Sequence, residues 1–119
     1  MDSCKHDQKE QRAIFDKNMK VLHEITNKLS IYIKATSKEI THDNFKTILI
    51  ITMRELNKHK LHGETKKELC THIIILLLDS FGLPHIISYY TAEIIGIAIE
   101  EIYLYGFHRF KRVNRCVMT

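Results

Sequence analysis

Apolar residues recur at helical spacing near the start of the chain. Over about residues 8 to 35, two series of positions seven residues apart and offset by three form one stripe, with charged residues around it. The stripe consists of Phe15, Asn18, Leu22, Ile25, Leu29 and Tyr32. We therefore predict a long first helix whose stripe, here called the seam, packs against the same chain or against a second copy.

A polar stretch at 35–43 separates this helix from the next one. Thr41 or Asp43 suits the N-cap of a second helix over about 43 to 60, and Gly63 is expected to end it. The predicted inner side of this second helix consists of Phe45, Ile48, Leu49, Thr52, Met53 and Leu56.

The run of six aliphatic residues at 73–78 lies in a third predicted helix that begins near Glu64. Leu69, Cys70, Ile73, Leu76 and Leu77 form its inner face, and the other residues of the run make the helix apolar nearly all round. A helix of this kind lies either at the centre of a bundle or in lipid.

Gly82 and Pro84 end the third helix, and a fourth is predicted over about 85 to 105. The fold class is therefore all-α, a small bundle of about four helices with a long N-terminal helix. We expect a flexible N-terminus at 1–7, a single helical domain at 8–105 and a basic C-terminal tail at 106–119.

Charged residues interrupt the most apolar stretches. A membrane-spanning helix needs about 20 apolar residues, but Asp79 ends the run of six, and Glu93, Glu100 and Glu101 divide the stretch after it. Each ionised group at the bilayer centre costs about 2.5–3.5 kcal/mol. We therefore predict the central bundle position for the third helix, and no membrane span.

Three cysteines, at 4, 70 and 116, follow a polar start without a signal-peptide pattern. The odd count and this start argue against a disulfide framework and favour an intracellular protein. Cys70 is predicted to be a small core residue.

No pattern of residues points to catalysis or to a metal. His59, His62, Cys70 and His72 lie close in sequence, but Cys70 and His72 are two apart on a helix and so point to opposite sides. The adjacent Glu100 and Glu101 diverge by about 100° and cannot act as a facing acid and base. We expect no catalytic residue, no metal and no cofactor, and hence no enzyme.

The positive charge of the chain is concentrated at its end. Residues 1–105 hold 14 Lys and Arg and 14 Asp and Glu, so the net charge of +4 comes from the tail. Basic residues that alternate with aromatic ones are typical of single-strand nucleic-acid binding. The candidate contacts are Arg109, Phe110, Lys111, Arg112 and Arg115.

Two short stretches carry a resemblance. A Leu-x-Gly-x-x-Lys-Lys stretch opens the third predicted helix, and a Leu-Pro-x-Ile-Ile stretch opens the fourth. The matching residues are Leu61, Gly63, Lys66, Lys67, Leu83, Pro84, Ile86 and Ile87. Over about residues 43–105 the chain resembles a set of short helical proteins from nucleocytoplasmic large DNA viruses. The resemblance implies a viral accessory or virion-associated protein, in the host cytoplasm or the virion, and it implies no site.

These patterns favour a non-catalytic helical structural or interaction protein, which self-associates as a homo-oligomer or docks a protein partner through an apolar helical face. The alternative is a small nucleic-acid-binding protein that uses the basic tail. A third class is a host-directed factor in which a groove between the helices takes a peptide helix.

Overall fold

The computed structural model describes the backbone of residues 2–107 and the side chains of residues 10–104. This part of the chain forms five α-helices followed by a π-helical segment, and it contains no β-strand. The elements are α1 (Asp2–Ala35), α2 (His42–Asn57), α3 (Gly63–Phe81), α4 (Pro84–Tyr89), α5 (Ala92–Glu101) and the π-helical segment (Ile102–Phe107). The predicted all-α class is confirmed.

Helix α3 lies at the centre of the fold and packs against α1, α2, α4 and α5. Ile73 and Leu77 are fully enclosed, and Cys70 is a buried core residue. The central position that the aliphatic run predicts is therefore confirmed. One residue differs, because Leu76 was expected on the inner face but is 40% exposed, while Ile74 and Leu78 are buried.

Helix α2 buries the predicted side of its surface, and all six residues of that set are buried. Thr41 is the N-cap, and its N–H donates to Asn44 Oδ1 at 2.7 Å. The buried hydroxyl of Thr52 donates to the carbonyl of Ile48 at 2.8 Å, which satisfies it inside the core.

The predicted end of the second helix is wrong. Helix α2 ends at Asn57, and Gly63 does not terminate it but is the first residue of α3. Lys58 and His59 close the end of α2, with N–H groups that donate to the carbonyls of Glu55 and Leu56.

The predicted fourth helix is two helices. Helix α4 ends at Tyr89, and the backbone leaves the helical region at Tyr90, which has ψ 78°. Thr91 then caps α5, because its hydroxyl oxygen accepts from the N–H of Ile94 at 3.3 Å. Pro84 stands at the start of α4, where its missing N–H costs no helical hydrogen bond.

A short backbone contact joins the start of α2 to the end of α3. The N–H of Ile40 donates to the carbonyl of Phe81 at 3.0 Å, and Ile40 pairs with Gly82 in an isolated parallel bridge. Ile40 is buried. This contact fixes the beginning of α2 beside the turn that leads into α4.

Helix α1 is much longer than the helices it packs on. It begins at Asp2, before the predicted start near residue 8, and ends at Ala35. At 1.5 Å per residue, α1 is about 51 Å long, against about 24 Å for α2 and about 28 Å for α3. Residues 10–17 are all exposed, and the buried positions of α1 begin at Val21. The N-terminal part of α1 therefore projects beyond the bundle.

Candidate interaction surfaces

The seam of α1 is divided between the core and the solvent. Leu22, Ile25 and Leu29 are buried inside their own chain, where α1 packs on α3 and α2. Asn18 is half-buried, whereas Phe15 and Tyr32 are exposed. The seam thus packs in cis over its middle part, and its N-terminal end is left uncovered in a single chain.

Two apolar rows continue from the core onto the projecting part of α1. Val21 and Leu22 are 5% and 4% exposed, whereas Ile14 and Phe15, each one heptad earlier, are 59% and 61% exposed. Residues seven apart lie on nearly the same side of a helix. We call Ile14 and Phe15 the α1 patch. Ile14 and Val21 are not among the predicted seam residues. The heptad pattern therefore predicted the row that contains Phe15 and Leu22 but not the row that contains Ile14 and Val21.

A second surface is an apolar groove of about 740 Å³ between the end of α2, the first half of α3 and the end of α5. Its floor is apolar, and one wall is formed by residues of the π-helical segment. Met53, Leu56, Cys70 and Ile99 form the floor, and Tyr103 and Leu104 form the wall. The floor residues are buried, whereas Tyr103 and Leu104 are 57% and 58% exposed. The exposed apolar side chains of the groove are therefore those of the wall.

The rim of this groove carries charges of both signs. It includes Glu64, Lys66, Lys67 and Glu100, and Lys67 donates a hydrogen bond to Glu100. At the floor, burial raises the pKa of the Cys70 thiol to about 12. Cys70 therefore stays protonated at neutral pH and acts as an apolar group there.

An aromatic cluster joins α2 to α4. The His42 Nδ1 lies 2.9 Å from the Tyr90 hydroxyl, and the ring of Phe45 stacks on Tyr90 at 3.7 Å between centroids. The rings of Tyr89 and His85 lie 5.0 and 6.4 Å from that of His42. Partial burial, together with the neighbouring Tyr89, raises the pKa of Tyr90. Because the rings contact one another, the cluster holds α4 against α2.

The residues considered for a metal site are not assembled as one. Cys70 lies in the core, whereas His62 and His72 are exposed on the surface. Within the described range, no group of three or more His, Cys, Asp and Glu residues comes together. Of the adjacent glutamates, Glu100 pairs with Lys67 on α3.

The basic candidates for nucleic-acid contact, Arg109, Phe110, Lys111, Arg112 and Arg115, lie outside the described residues. Among the helices that are described, none is long and apolar enough to cross a membrane.

Compared with protein families, with curated proteins and with solved structures, the chain has no match.

Proposed function

We propose that this chain is a non-catalytic structural or interaction protein that self-associates through the α1 patch. The observation that supports this proposal is the change in burial along two helical rows. The same rows that pack into the core at Val21 and Leu22 are uncovered at Ile14 and Phe15. A second copy offers the same two rows and can cover them by a symmetric contact.

The energetics of the patch favour association. Covering an exposed Ile or Phe side chain is worth about 1.5–3 kcal/mol when burial is complete. The half-buried Asn18 lies on the same side of α1, and a polar seam residue of this kind can fix the register between two helices. The charged residues around the patch are of both signs, namely Glu10, Arg12, Asp16, Lys17 and Lys20. Two copies that meet at this patch therefore do not bring together surfaces of like charge.

The resemblance of residues 43–105 to short helical proteins of large DNA viruses supports a viral setting for this proposal. In that setting the protein is an accessory or virion-associated component, and self-association provides its structural role. The resemblance covers the α2–α5 region and not α1, so the two parts of the proposal stand on different residues.

The oligomeric state tests the proposal. We expect an oligomer by size-exclusion chromatography with light scattering. Because a symmetric contact loses the side chain from both copies, Ile14→Asp should raise the dissociation constant by roughly a hundredfold or more. Ile31→Asp is the matched control, because Ile31 lies on the same helix and is 69% exposed. Ile31 follows Lys17 and Glu24 in a row that faces solvent, so its substitution should leave the oligomer unchanged.

Two results contradict the proposal. The first is a strict monomer at tens of micromolar. The second is an oligomer that Ile31→Asp dissociates and Ile14→Asp does not. Ile14 is exposed, so its substitution should leave the fold intact, and circular dichroism of both variants checks this.

A second candidate function is nucleic-acid binding through the tail, which the charge distribution favours. The charges of residues 1–105 balance, and Arg109, Lys111, Arg112 and Arg115 supply the excess. Four phosphate contacts predict a slope of about −3 for the logarithm of single-strand affinity against the logarithm of salt concentration. Replacing these four residues with Gln should abolish both binding and slope. Binding that survives the replacement with an unchanged slope would exclude the tail.

A further inference from the structure

A cleft of about 730 Å³ lies between α3 and α5. It borders the apolar groove at Glu64, Lys67 and Glu100, but it differs from that groove because none of its lining residues is buried. Its two sides are formed by 64–72 of α3 and 92–100 of α5. At 1.5 Å per residue each side is about 12 Å long, which is about two helical turns.

The lining of the cleft is acidic. It contains four glutamates and one lysine, and this lysine, Lys67, donates a hydrogen bond to Glu100, so these two charges offset each other. Within the part of the chain whose side chains are described, no ion pair neutralises the other three carboxylates, which are those of Glu64, Glu68 and Glu93. A partner that lies in the cleft therefore has to supply positive charge.

The floor of the cleft is open beside an exposed aliphatic side chain. Ile97 is 56% exposed, and Gly96 lies next to it in the middle of α5. A glycine inside a helix costs about 1 kcal/mol relative to alanine. A Cβ at Gly96 would meet only Lys67 Cε, at 3.7 Å, which is an ordinary contact. The packing of the chain therefore does not require glycine here, and its missing side chain leaves room on the floor of the cleft.

We propose that the cleft between α3 and α5 docks a basic amphipathic helix of another protein. The lysines and arginines of that helix pair with Glu64, Glu68 and Glu93, and one of its aliphatic side chains covers Ile97 above Gly96. A helix laid between two others is a common mode of peptide recognition. A free polyamine would meet the same carboxylates but would leave Ile97 uncovered. The cleft shares no residue with the α1 patch, so this proposal does not depend on self-association.

A synthetic peptide tests the proposal with the full-length chain. The probe is a fluorescein-labelled helix of about 14 residues, or four turns, built from Lys and Leu at helical spacing. In one matched peptide Ser replaces each Leu, and in the other Glu replaces each Lys. By fluorescence anisotropy, we expect the Lys–Leu peptide to bind in the micromolar range and to lose affinity as the salt concentration rises. Both matched peptides should bind weaker by roughly tenfold or more.

Charge substitutions locate the contact. The double variant Glu68→Gln with Glu93→Gln should raise the dissociation constant of the Lys–Leu peptide by roughly three- to thirtyfold, because two exposed ion pairs are lost. Glu24→Gln with Glu39→Gln is the matched control, since it removes the same charge from exposed residues outside the cleft. This control should leave the dissociation constant within about twofold of wild type.

Gly96→Leu tests the open floor. Leucine is a better helix former than glycine, so circular dichroism should show a helix content equal to or above that of wild type. The added side chain fills the floor, and the dissociation constant of the Lys–Leu peptide should rise by roughly tenfold or more. A variant that folds at least as well and binds less separates docking from stability.

Four results overturn the proposal. The first is no binding of the Lys–Leu peptide up to millimolar concentration, and the second is an equal effect of the two double variants. The third is unchanged binding by Gly96→Leu. The fourth is a Ser-containing peptide that binds as tightly as the Lys–Leu peptide, which would mean that the cleft attracts positive charge without a helix.

The same titration with the Ile14→Asp chain shows which surface the peptide covers. Unchanged binding supports docking in the cleft, because Ile14 lies far along α1 and does not line it. Lost binding would mean that the peptide covers the α1 patch, and this result overturns docking in the cleft. Self-association is measured without the peptide, so the two proposals fail independently.

Discussion

At the scale of single residues, Gly82 decides how closely the turn after α3 can pack. Its φ is −84°, which any residue adopts, so the requirement for glycine is not conformational. A Cβ at this position would lie 2.7 Å from the carbonyl oxygen of Leu78 and 3.2 Å from Ile87 Cγ1. The N–H of Gly82 donates to the same Leu78 oxygen, which holds the backbone in place.

We expect Gly82→Ala to lower the free energy of unfolding by about 1–3 kcal/mol, because the backbone oxygen cannot move aside without breaking the end of α3. Urea denaturation followed by circular dichroism measures this change. Gly63→Ala is the control, since a Cβ there meets no atom within 4 Å and the change should stay below about 1 kcal/mol. Equal effects of the two substitutions would show that the close approach at Gly82 carries no energetic weight.

At the scale of elements, spacing alone predicted α2 and the central α3, because their apolar residues are regular and turn signals flank them. The break between α4 and α5 escaped prediction because Tyr89, Tyr90 and Thr91 include no Gly or Pro. The cap that starts α5 is a single threonine hydroxyl, and threonine also occurs within helices. The end of α2 was misplaced because a turn signal was present but had another role. Gly63 is a residue type that often ends a helix, whereas here it begins the next one.

Glu55 connects two elements through its charge. It lies 2.9 Å from Lys58 Nζ at the end of α2 and 3.6 Å from Lys28 Nζ on α1. The hydrogen bond from Lys58 lowers the pKa of the Glu55 carboxyl, burial opposes this shift, and the charges of Lys58 and Lys28 add to the lowering. The ionised form is therefore favoured in the folded state.

A lowered folded-state pKa gives a stability contribution that is present above the unfolded pKa and lost as the pH falls through the folded value. We expect Glu55→Gln to reduce the free energy of unfolding at pH 7 by up to about 1 kcal/mol, a modest value because both lysines are largely in water. The difference from wild type should begin to shrink as the pH falls through the ordinary Glu pKa of about 4.3, and it should vanish only below the lowered pKa of the folded state.

Glu10→Gln removes the same charge from the projecting part of α1 and is the control. Denaturation curves at several pH values compare the two variants. A stability difference for Glu55→Gln that persists unchanged at low pH would mean that packing, and not charge, explains its effect.

At the scale of the whole molecule, the surfaces depend on how the elements are placed together, and this was beyond sequence reasoning. His42 and His85 are 43 positions apart in sequence, and they meet because the Ile40–Gly82 bridge brings the starts of α2 and α4 together. The groove likewise needs three separate elements. The seam was predicted, but its division into a buried middle and an uncovered end depends on the lengths of α2 and α3.

The projection of α1 also affects the overall dimensions. A compact domain of this length has a radius of gyration of about 13.5 Å. The value here is 16.4 Å, with principal extents of 53, 43 and 26 Å. The longest extent is close to the length of about 51 Å expected for α1.

The central place of α3 has a consequence for folding during synthesis. During synthesis α1 leaves the ribosome first. The helix that covers most of its apolar side, α3, ends only at Phe81. Ile25 and Leu29 therefore remain exposed to solvent until about two thirds of the chain has been synthesised. Helices α2 and α3 are neighbours in sequence and are joined by a short loop. Contacts between such neighbours are local, and local contacts favour early folding of this pair. We expect α1 to pack onto this pair afterwards, and until then its apolar side is exposed to chaperones and to other nascent copies.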